Sequence, residues 1–384
     1  MTDPDQTPNA PFAVTSSYSK VEQLARIRLI RSENVGPVTF HRLIERFGSA
    51  TETVEALPRI AKRGGRNKPL KIQSISEAQD EIKAAEDIGA VILFHGDSDY
   101  PPLLAMASDS PPHLFVRGHG HLLKKRCIAM VGARNASLNG RRFAERLAIE
   151  LGENGFCVVS GLARGIDAAA HIGALTSGTI AAVAGGADVV YPPENQHLQA
   201  EIAEQGAIVS EMPPGTRPQA RHFPTRNRII AAMARGVIVV EASPRSGSLI
   251  TARMAGEYGR DVFAVPGAAG DPRARGTNQL IREGAILTES IDDILEAFSG
   301  LSNVSLDDVE ASDFIHGSPV NTPDDMIDEA RVWIETLIGP SPVTVDEIVR
   351  DGQFSPAAIA GALLELEIAG RLERHPGGKV SLIV

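Results

Sequence analysis

One segment combines basic and aromatic side chains in a way that suits a single-stranded nucleic acid. Residues 217–230 contain four arginines and Phe223, between an apolar run and a helical pattern. If this proline-bounded stretch is extended, Arg221 and Phe223 point the same way, because strand side chains alternate with a period of two. One of the two can then pair with a phosphate while the other stacks on a base.

Two further arginines, Arg226 and Arg228, fall at the predicted helix start, where a cation is unfavourable unless an anion is bound. A structural alternative is that they pair with core carboxylates such as Glu211 or Glu241 and that Asn227 caps the helix. For Arg228 the DNA-binding role and the structural ion pair explain the sequence equally well.

Loops rich in small residues follow the other predicted strands. Gly132 and Arg134 follow the first strand, residues 160–167 the second, and residues 241–248 the fifth. In an open parallel sheet, ligands bind beyond the carboxyl ends of the strands. Small residues let backbone N–H groups approach an anion closely. The sequence therefore predicts an anion-binding rim at this edge.

Several kinds of enzyme chemistry have no motif in this chain. Neither a G-x-G-x-x-G spacing nor a G-x-x-x-x-G-K-[ST] loop follows a predicted strand. No Ser-His-Asp or Cys-His arrangement can be assigned, His171 is expected to pack or cap on its helix, and no His and Cys cluster has metal-ligand spacing. We predict no catalytic residues, no cofactor and no metal.

Strand and helix alternate regularly in the part of the chain that must position these loops. Apolar runs occupy residues 127–131, 156–159, 179–183, 207–209, 237–240 and 262–265, each followed by a helix-length segment. Runs of this kind predict strands buried on both faces. We predict an α/β fold with a Rossmann-like, mostly parallel doubly wound sheet over residues 120–298.

Smaller modules flank the predicted sheet domain. Residues 20–119 are interpreted as an N-terminal helical module, of helix-hairpin-helix type around Gly36, with a connector. A plain helical turn with a proline at its first position explains the hairpin equally well. Residues 326–384 have the element order of a winged helix. Residues 1–19 are interpreted as a disordered tail and residues 299–325 as an acidic linker.

Charge and composition set broad limits. The formal net charge is −10, but residues 121–298 carry 19 basic and 18 acidic side chains, so the total neither supports nor excludes nucleic acid. The first residues lack signal-peptide features, and the apolar runs are too short to span a bilayer. Cys127 and Cys157 are expected to be buried thiols. We predict a cytoplasmic protein without a membrane partner.

The loop residues closely resemble the DNA-processing protein A family (DprA, also called Smf). The resemblance runs in order over about 140 residues. Its stretches include Met130-Val131-Gly132-Ala133-Arg134, Ser160-Gly161-Leu162-Ala163-Arg164-Gly165-Ile166-Asp167, Tyr191-Pro192-Pro193-Glu194-Asn195, Phe223-Pro224-Thr225-Arg226-Asn227-Arg228, Ser246-Gly247-Ser248-Leu249 and Ala264-Val265-Pro266-Gly267.

The resemblance implies a protein that binds and protects incoming single-stranded DNA and helps to load the recombinase RecA in natural transformation. It also implies a homodimer formed through the Rossmann-like domain. The implied nucleic-acid-binding residues are Gly132, Arg134, Ser160, Gly161, Arg164, Gly165, Arg221, Phe223, Arg226, Asn227, Arg228, Ser246, Gly247 and Ser248. Some relatives carry a Lys just ahead of the Phe-Pro pair, where Arg221 is the basic residue available here.

An enzyme is the main alternative. Rossmann-type nucleotide phosphoribohydrolases resemble this fold and use a P-G-G-x-G-T-x-x-E loop, but Met254 stands three residues after Thr251, where the glutamate would fall. The winged helix invites duplex binding. Its candidate recognition helix, residues 355–369, has no Lys or Arg and carries Glu365 and Glu367, so we predict a protein-contact or regulatory module.

Overall fold

The computed structural model describes residues 16–299, 323–375 and 377–383. Within these ranges the chain forms two compact units, a sheet unit (residues 16–17 and 81–299) and a helical unit (residues 18–80, 323–375 and 377–383). The predicted tail at 1–19 and the predicted linker at 299–325 lie outside the described residues except at their ends.

The described elements are as follows. The helices are α1 Lys20–Ile30, α2 Pro37–Phe47, α3 Ala50–Arg63, α4 Ile75–Asp87, α5 Pro102–Ala105, α6 Leu138–Glu153, α7 Ile166–Ala174, α8 Gln196–Gln205, α9 His222–Met233, α10 Gly247–Glu257, α11 Arg275–Arg282, α12 Ile291–Ser299, α13 Asp324–Leu337, α14 Val345–Asp351 and α15 Pro356–Ile368. The strands are β1 Ala90–Phe94, β2 His113–Gly118, β3 Cys127–Val131, β4 Cys157–Ser160, β5 Thr179–Ala182, β6 Ala207–Ser210, β7 Gly236–Val239, β8 Asp261–Ala264, β9 Ile286–Leu287, β10 Val343–Thr344, β11 Leu372–His375 and β12 Lys379–Leu382.

The sheet unit is a mostly parallel sheet, as predicted. Its strands lie in the order β1-β2-β6-β5-β4-β3-β7-β8-β9. From β6 to β9 every neighbouring pair is parallel. The strand order reverses between β3 and β7, which is the switch point at which Rossmann folds bind their ligands.

Both faces of the sheet are covered, which explains the continuous apolar runs. Along β3, the side chains of Cys127, Ala129 and Val131 enter the core on one face. Those of Ile128 and Met130 enter the core on the other face. Each residue of the strand must therefore be apolar. Cys127 and Cys157 are buried free thiols, as expected.

Two strands extend the sheet beyond the predicted domain boundary at residue 120. The prediction places all of residues 20–119 in the N-terminal module and its connector, but β1 and β2 pair antiparallel with each other and β2 pairs antiparallel with β6. The first four residues of β2 are all buried. Their backbone groups need partners inside the protein, and the edge of the sheet supplies them.

The helical unit joins the two modules that the sequence analysis treated as separate. Its winged helix consists of α13, α14, α15 and the three-stranded sheet β10-β12-β11. Leu364 and Ile368 of α15 share one apolar core with Leu29, Phe40 and Leu57 of the N-terminal helices. Nine of the 13 residues of α15 are buried. A helix that is apolar on all sides has to be covered on all sides.

Candidate nucleic-acid interface

A pocket of about 220 Å³ lies at the carboxyl edge of the sheet, where the predicted loops meet. Its walls include Arg134, residues 161–164, Tyr191 and Phe223. The rings of Tyr191 and Phe223 are 5.7 Å apart between centroids, with their planes 55° apart. The guanidinium carbon of Arg134 lies 5.3 Å from the centroid of the Phe223 ring. The pocket thus offers two aromatic surfaces beside a cation.

The positive charge at the mouth of the pocket is available to a ligand. Arg134 is exposed, and its recorded contact is the Phe223 ring rather than a carboxylate. Arg164 forms an ion pair with Glu194 at 3.2 Å, in which both side chains are more than half exposed. Exposed pairs of this kind contribute little to stability, so a phosphate can replace Glu194 at small cost.

Phe223, which forms part of the aromatic wall of the pocket, lies at the start of a helix and not in an extended stretch. Arg221 is the N-cap of α9, and Phe223 is the second helical residue. Two residues on a helix are turned by about 200° relative to each other, so the two side chains do not share a direction. The prediction of an extended stretch was wrong because Pro224 lies in the first helical turn, where no N–H is needed. Phe223 lines the pocket. Arg221 is exposed and is not one of the residues that line the pocket.

Arg226, a predicted binding residue, lies in the interior with 6% of its surface exposed. Its Nη1 donates to the carbonyl oxygens of Gly161 and Ala182, both at 2.5 Å. Burial lowers the pKa of Arg226 to about 10, and the charge of Asp167 opposes that shift. Burial also raises the pKa of the Asp167 carboxyl, and Arg226 opposes this in turn. We therefore correct the assignment of Arg226, which supports the pocket from behind instead of lining it.

Arg228 and Asn227 also have structural partners. Arg228 is 6% exposed and donates to the Glu211 carboxylate and to the Asp109 carbonyl oxygen. This is the core ion pair that the structural alternative named. Asn227 accepts a hydrogen bond from Arg226 Nε at 3.2 Å and lies well inside α9, so it is not the helix cap. Neither residue lines the described pocket.

The small residues of the loops serve close packing. Gly165 has φ +81°, and a Cβ there would lie 2.2 Å from the Ala133 carbonyl oxygen. A Cβ on Gly132 would lie 2.6 Å from the Ile166 side chain. Ser160 is buried and donates to the Met130 carbonyl oxygen at 2.6 Å. Of the predicted residues in this region, Gly161 and Arg164 line the pocket itself.

The crevice at the switch point is filled by the protein's own carboxylate. Glu241, which follows β7, accepts hydrogen bonds from Ser137 N at 2.9 Å and from Ser137 Oγ at 2.5 Å. Ser137 is the N-cap of α6. The carboxylate occupies the position at which a Rossmann fold holds a phosphate, and its charge repels a second anion. This agrees with the missing dinucleotide motif.

Residues 246–248 belong to a different surface from the pocket. Ser246 caps α10, its hydroxyl lies 2.7 Å from that of Ser248, and Gly247 is the first residue of that helix. Ser246 lines a groove of about 750 Å³ together with Arg245 and Arg253. The predicted rim is thus divided between two surfaces.

Some site residues were not predicted. Tyr191 was quoted as part of a loop but not as a binding residue, although it is one of only four tyrosines in the chain and follows a strand. Arg141 and Arg142 of α6 lie beside Arg134 in an adjoining groove. The sequence could have indicated them, because they lie in the first turns of the helix that follows the Arg134 loop. That position brings them to the same edge of the sheet as Arg134.

The candidate recognition helix of the winged helix contacts the N-terminal helices of the same unit. Glu365 is buried and accepts a hydrogen bond from Arg46 Nη2 at 3.3 Å, and Arg63 Nε lies 3.4 Å from the same oxygen. Asn34, in the predicted hairpin, donates to the Ile368 carbonyl oxygen at 3.1 Å. Packing within the chain therefore buries much of this helix, while the prediction of a protein-contact or regulatory module stays a prediction.

His171 packs as expected, with Nδ1 2.7 Å from the Thr179 hydroxyl. No helix within the described ranges is both long and apolar enough to cross a membrane.

Comparisons with known proteins agree over all three modules. The family described as DNA recombination-mediator protein A matches residues 91–299. A DprA-like N-terminal HHH domain matches residues 20–84, and a DprA winged helix domain matches residues 317–378.

Protein Smf of Escherichia coli is 42% identical over 298 residues, covering 76% of this chain and 77% of the relative. DNA processing protein DprA of Streptococcus pneumoniae is 48% identical over 204 residues, covering 53% of this chain and 72% of the relative.

Solved structures are similar as well. The X-ray structure of DNA processing protein A from S. pneumoniae has a TM-score of 0.61 and 35% identity, covering 73% of this chain and 98% of that one. A structure of the Helicobacter pylori protein has a TM-score of 0.50 and 31% identity, covering 56% of this chain and 95% of that one. It is described as giving insight into a single-stranded DNA binding mode.

Proposed function

Since this chain belongs to the DNA recombination-mediator protein A (DprA) family, we propose that it binds single-stranded DNA in the pocket formed by Arg134, Tyr191 and Phe223. The observation that carries the proposal is the Arg134–Phe223–Tyr191 cluster at the open edge of the sheet. Aromatic faces stack on unpaired bases, while a guanidinium pairs with the backbone phosphate. The H. pylori relative, described by its single-stranded DNA binding mode, supports this ligand.

The single strand is favoured over a duplex by the shape of the site. The aromatic rings line a recess instead of forming a ridge that could enter a groove. A base has to leave its stack to reach them. Gly161 and Arg164 contribute to the walls, and Arg221, exposed at the start of α9, is proposed as an outer phosphate contact.

The recombination role follows from the family. We infer that the chain protects incoming DNA, helps to load RecA recombinase in natural transformation, and forms a homodimer through the sheet unit in the cytoplasm. We also propose that it is not an enzyme. The phosphoribohydrolase alternative lacks its glutamate at Met254, and the switch-point crevice is occupied by Glu241.

A binding titration tests the proposal. A poly-dT oligomer should bind more tightly than a matched duplex, with an affinity that falls steeply as salt is raised. Arg134→Glu should cost most of this affinity, and Phe223→Leu should cost about 1–3 kcal/mol of stacking energy. Arg221→Glu should cost less, because its side chain lies outside the pocket.

The control is Arg146→Glu on the outer part of α6, where Arg146 pairs with Glu150. Equal losses in the three charge-reversal variants, Arg134→Glu, Arg221→Glu and Arg146→Glu, would show that only general charge matters. Release of free base from nucleoside monophosphates would instead favour the enzyme.

A further inference from the structure

We propose that the bound strand leaves the pocket along a second groove, between α6 and α7, and that Arg141 and Arg142 hold its phosphates. The inference rests on the proposed function and extends the site. The groove has a volume of about 890 Å³, and Arg134 and Arg164 line both it and the pocket. A chain that occupies one can therefore pass into the other without leaving the protein surface.

The α6 wall of this groove is one continuous helical face. Leu138, Arg141, Arg142 and Glu145 all line it. They are spaced at i, i+3, i+4 and i+7, which places them on the same side of a helix. The groove therefore has four arginines along it against one glutamate, in addition to the Glu194 that pairs with Arg164.

The two arginines of the α6 wall differ from the nearby Arg146, which forms an ion pair. Arg146, one turn further on, forms an ion pair with Glu150 at 3.8 Å. Arg141 and Arg142 are exposed, and no ion pair involving them is found among the described residues. Cations that line one groove repel each other, and an anionic ligand bound between them relieves this repulsion.

The floor of the groove is apolar. Leu138 of the α6 wall is 54% exposed, and across from it Ile172 of α7 is 52% exposed, with Ala168 and Ala169 of α7 beside it. Large apolar side chains beside unpaired cations match a ligand that has both flat apolar faces and phosphates. Single-stranded DNA has both. A second copy of this chain is the competing occupant, because an apolar patch also suits a subunit interface.

The dependence of affinity on oligomer length distinguishes binding in the pocket from binding along the groove between α6 and α7. We would titrate dT oligomers from about 4 to about 20 nucleotides, which brackets the site sizes of known single-strand binders. The proteins are the parent, the double variant Arg141→Gln/Arg142→Gln, and Arg146→Gln as the matched control on the same helix. Light scattering on each protein reports its oligomeric state.

The double variant should bind the shortest oligomers like the parent and lose affinity progressively as the oligomer lengthens. For long oligomers the slope of log affinity against log salt should fall by about 0.7 for each lost phosphate contact, or about 1.4 for both. Arg146→Gln should leave both quantities unchanged.

Three results would overturn the inference. If the double variant matches Arg146→Gln at every oligomer length, these arginines are not part of the path. If it loses short and long oligomers equally, the groove is not a separate extension. A change in its oligomeric state would identify the groove as a subunit interface. If the parent binds no oligomer, the proposed function itself fails and the inference falls with it.

Discussion

Replacing Arg226 by methionine should destabilise the sheet unit more than it weakens any direct contact with DNA. The guanidinium is buried, donates to the carbonyl oxygens of Gly161 and Ala182, and faces the buried Asp167. Methionine fills much of the same space but supplies neither the charge nor the donors. Asp167 then loses the largest of the positive charges that lower its pKa.

The size of the effect follows from these contacts. Removing the opposing charge of a buried ionisable group costs up to about 3–5 kcal/mol, the range measured for buried pairs in direct contact. The two carbonyl oxygens lose a donor as well, although such losses are not additive with the first. Against a total stability of about 5–15 kcal/mol this is a large fraction. For a unit of this size, it corresponds to a fall of about 6–20 °C in the transition temperature.

Differential scanning calorimetry of the full chain measures this directly. Arg226→Met is compared with Arg134→Gln, which removes an exposed arginine of the same pocket. Arg226→Met/Asp167→Asn removes the stranded carboxylate and should recover about 0.5–3 kcal/mol of the loss. The reasoning is refuted if Arg226→Met keeps the parental transition temperature and still loses single-strand binding, because Arg226 would then act on the DNA itself.

Three further predictions concern charged or titratable groups that are buried or partly buried. Glu365→Leu should leave Arg46 and Arg63 without their shared carboxylate and speed hydrogen exchange in α3 and α15, whereas unchanged exchange would contradict the role of Glu365. Burial lowers the pKa of His171 from 6.5 to about 3. Between these two pH values the imidazole is protonated in the unfolded chain and neutral in the folded chain. Stability should therefore fall as the pH drops from 6.5 toward 3, by up to about 1.4 kcal/mol per pH unit, and His171→Gln should flatten the dependence of urea midpoints on pH. Glu241→Ala should open the N-terminus of α6 and make the melting temperature rise with added inorganic phosphate, and a temperature that ignores phosphate would refute this.

The sheet was predictable because its strands are buried on both faces and carry little else than apolar side chains. The β3 run 127–131 matches the observed strand at both ends. Strand β2 joins the sheet through β6, which lies about 90 residues further along the chain, and no local pattern reveals this pairing. The same holds for α15, whose second partner, the N-terminal module, is about 300 residues away in sequence.

The sequence predicts a binding residue correctly where its place in a loop decides its role. It does not do so where burial of the side chain decides the role. Arg134, Gly161, Arg164 and Phe223 come together because parallel strands end at one edge. Arg226 could not be told from them, because its sequence neighbours look like those of an exposed arginine. Only the packing of Gly161 and Ala182 against its guanidinium shows that it is internal.

The carboxylate of Glu241 has a consequence for selectivity in the cell. Free nucleotides carry the same phosphates and bases as DNA and are present in large excess over any single strand. A Rossmann fold with an open switch point would bind them and be blocked. Because Glu241 already accepts the hydrogen bonds of Ser137 at the start of α6, we expect this part of the described structure to offer a free nucleotide no vacant phosphate site. We therefore expect a single nucleotide to bind weakly and a polymer, which joins many such contacts, to bind well.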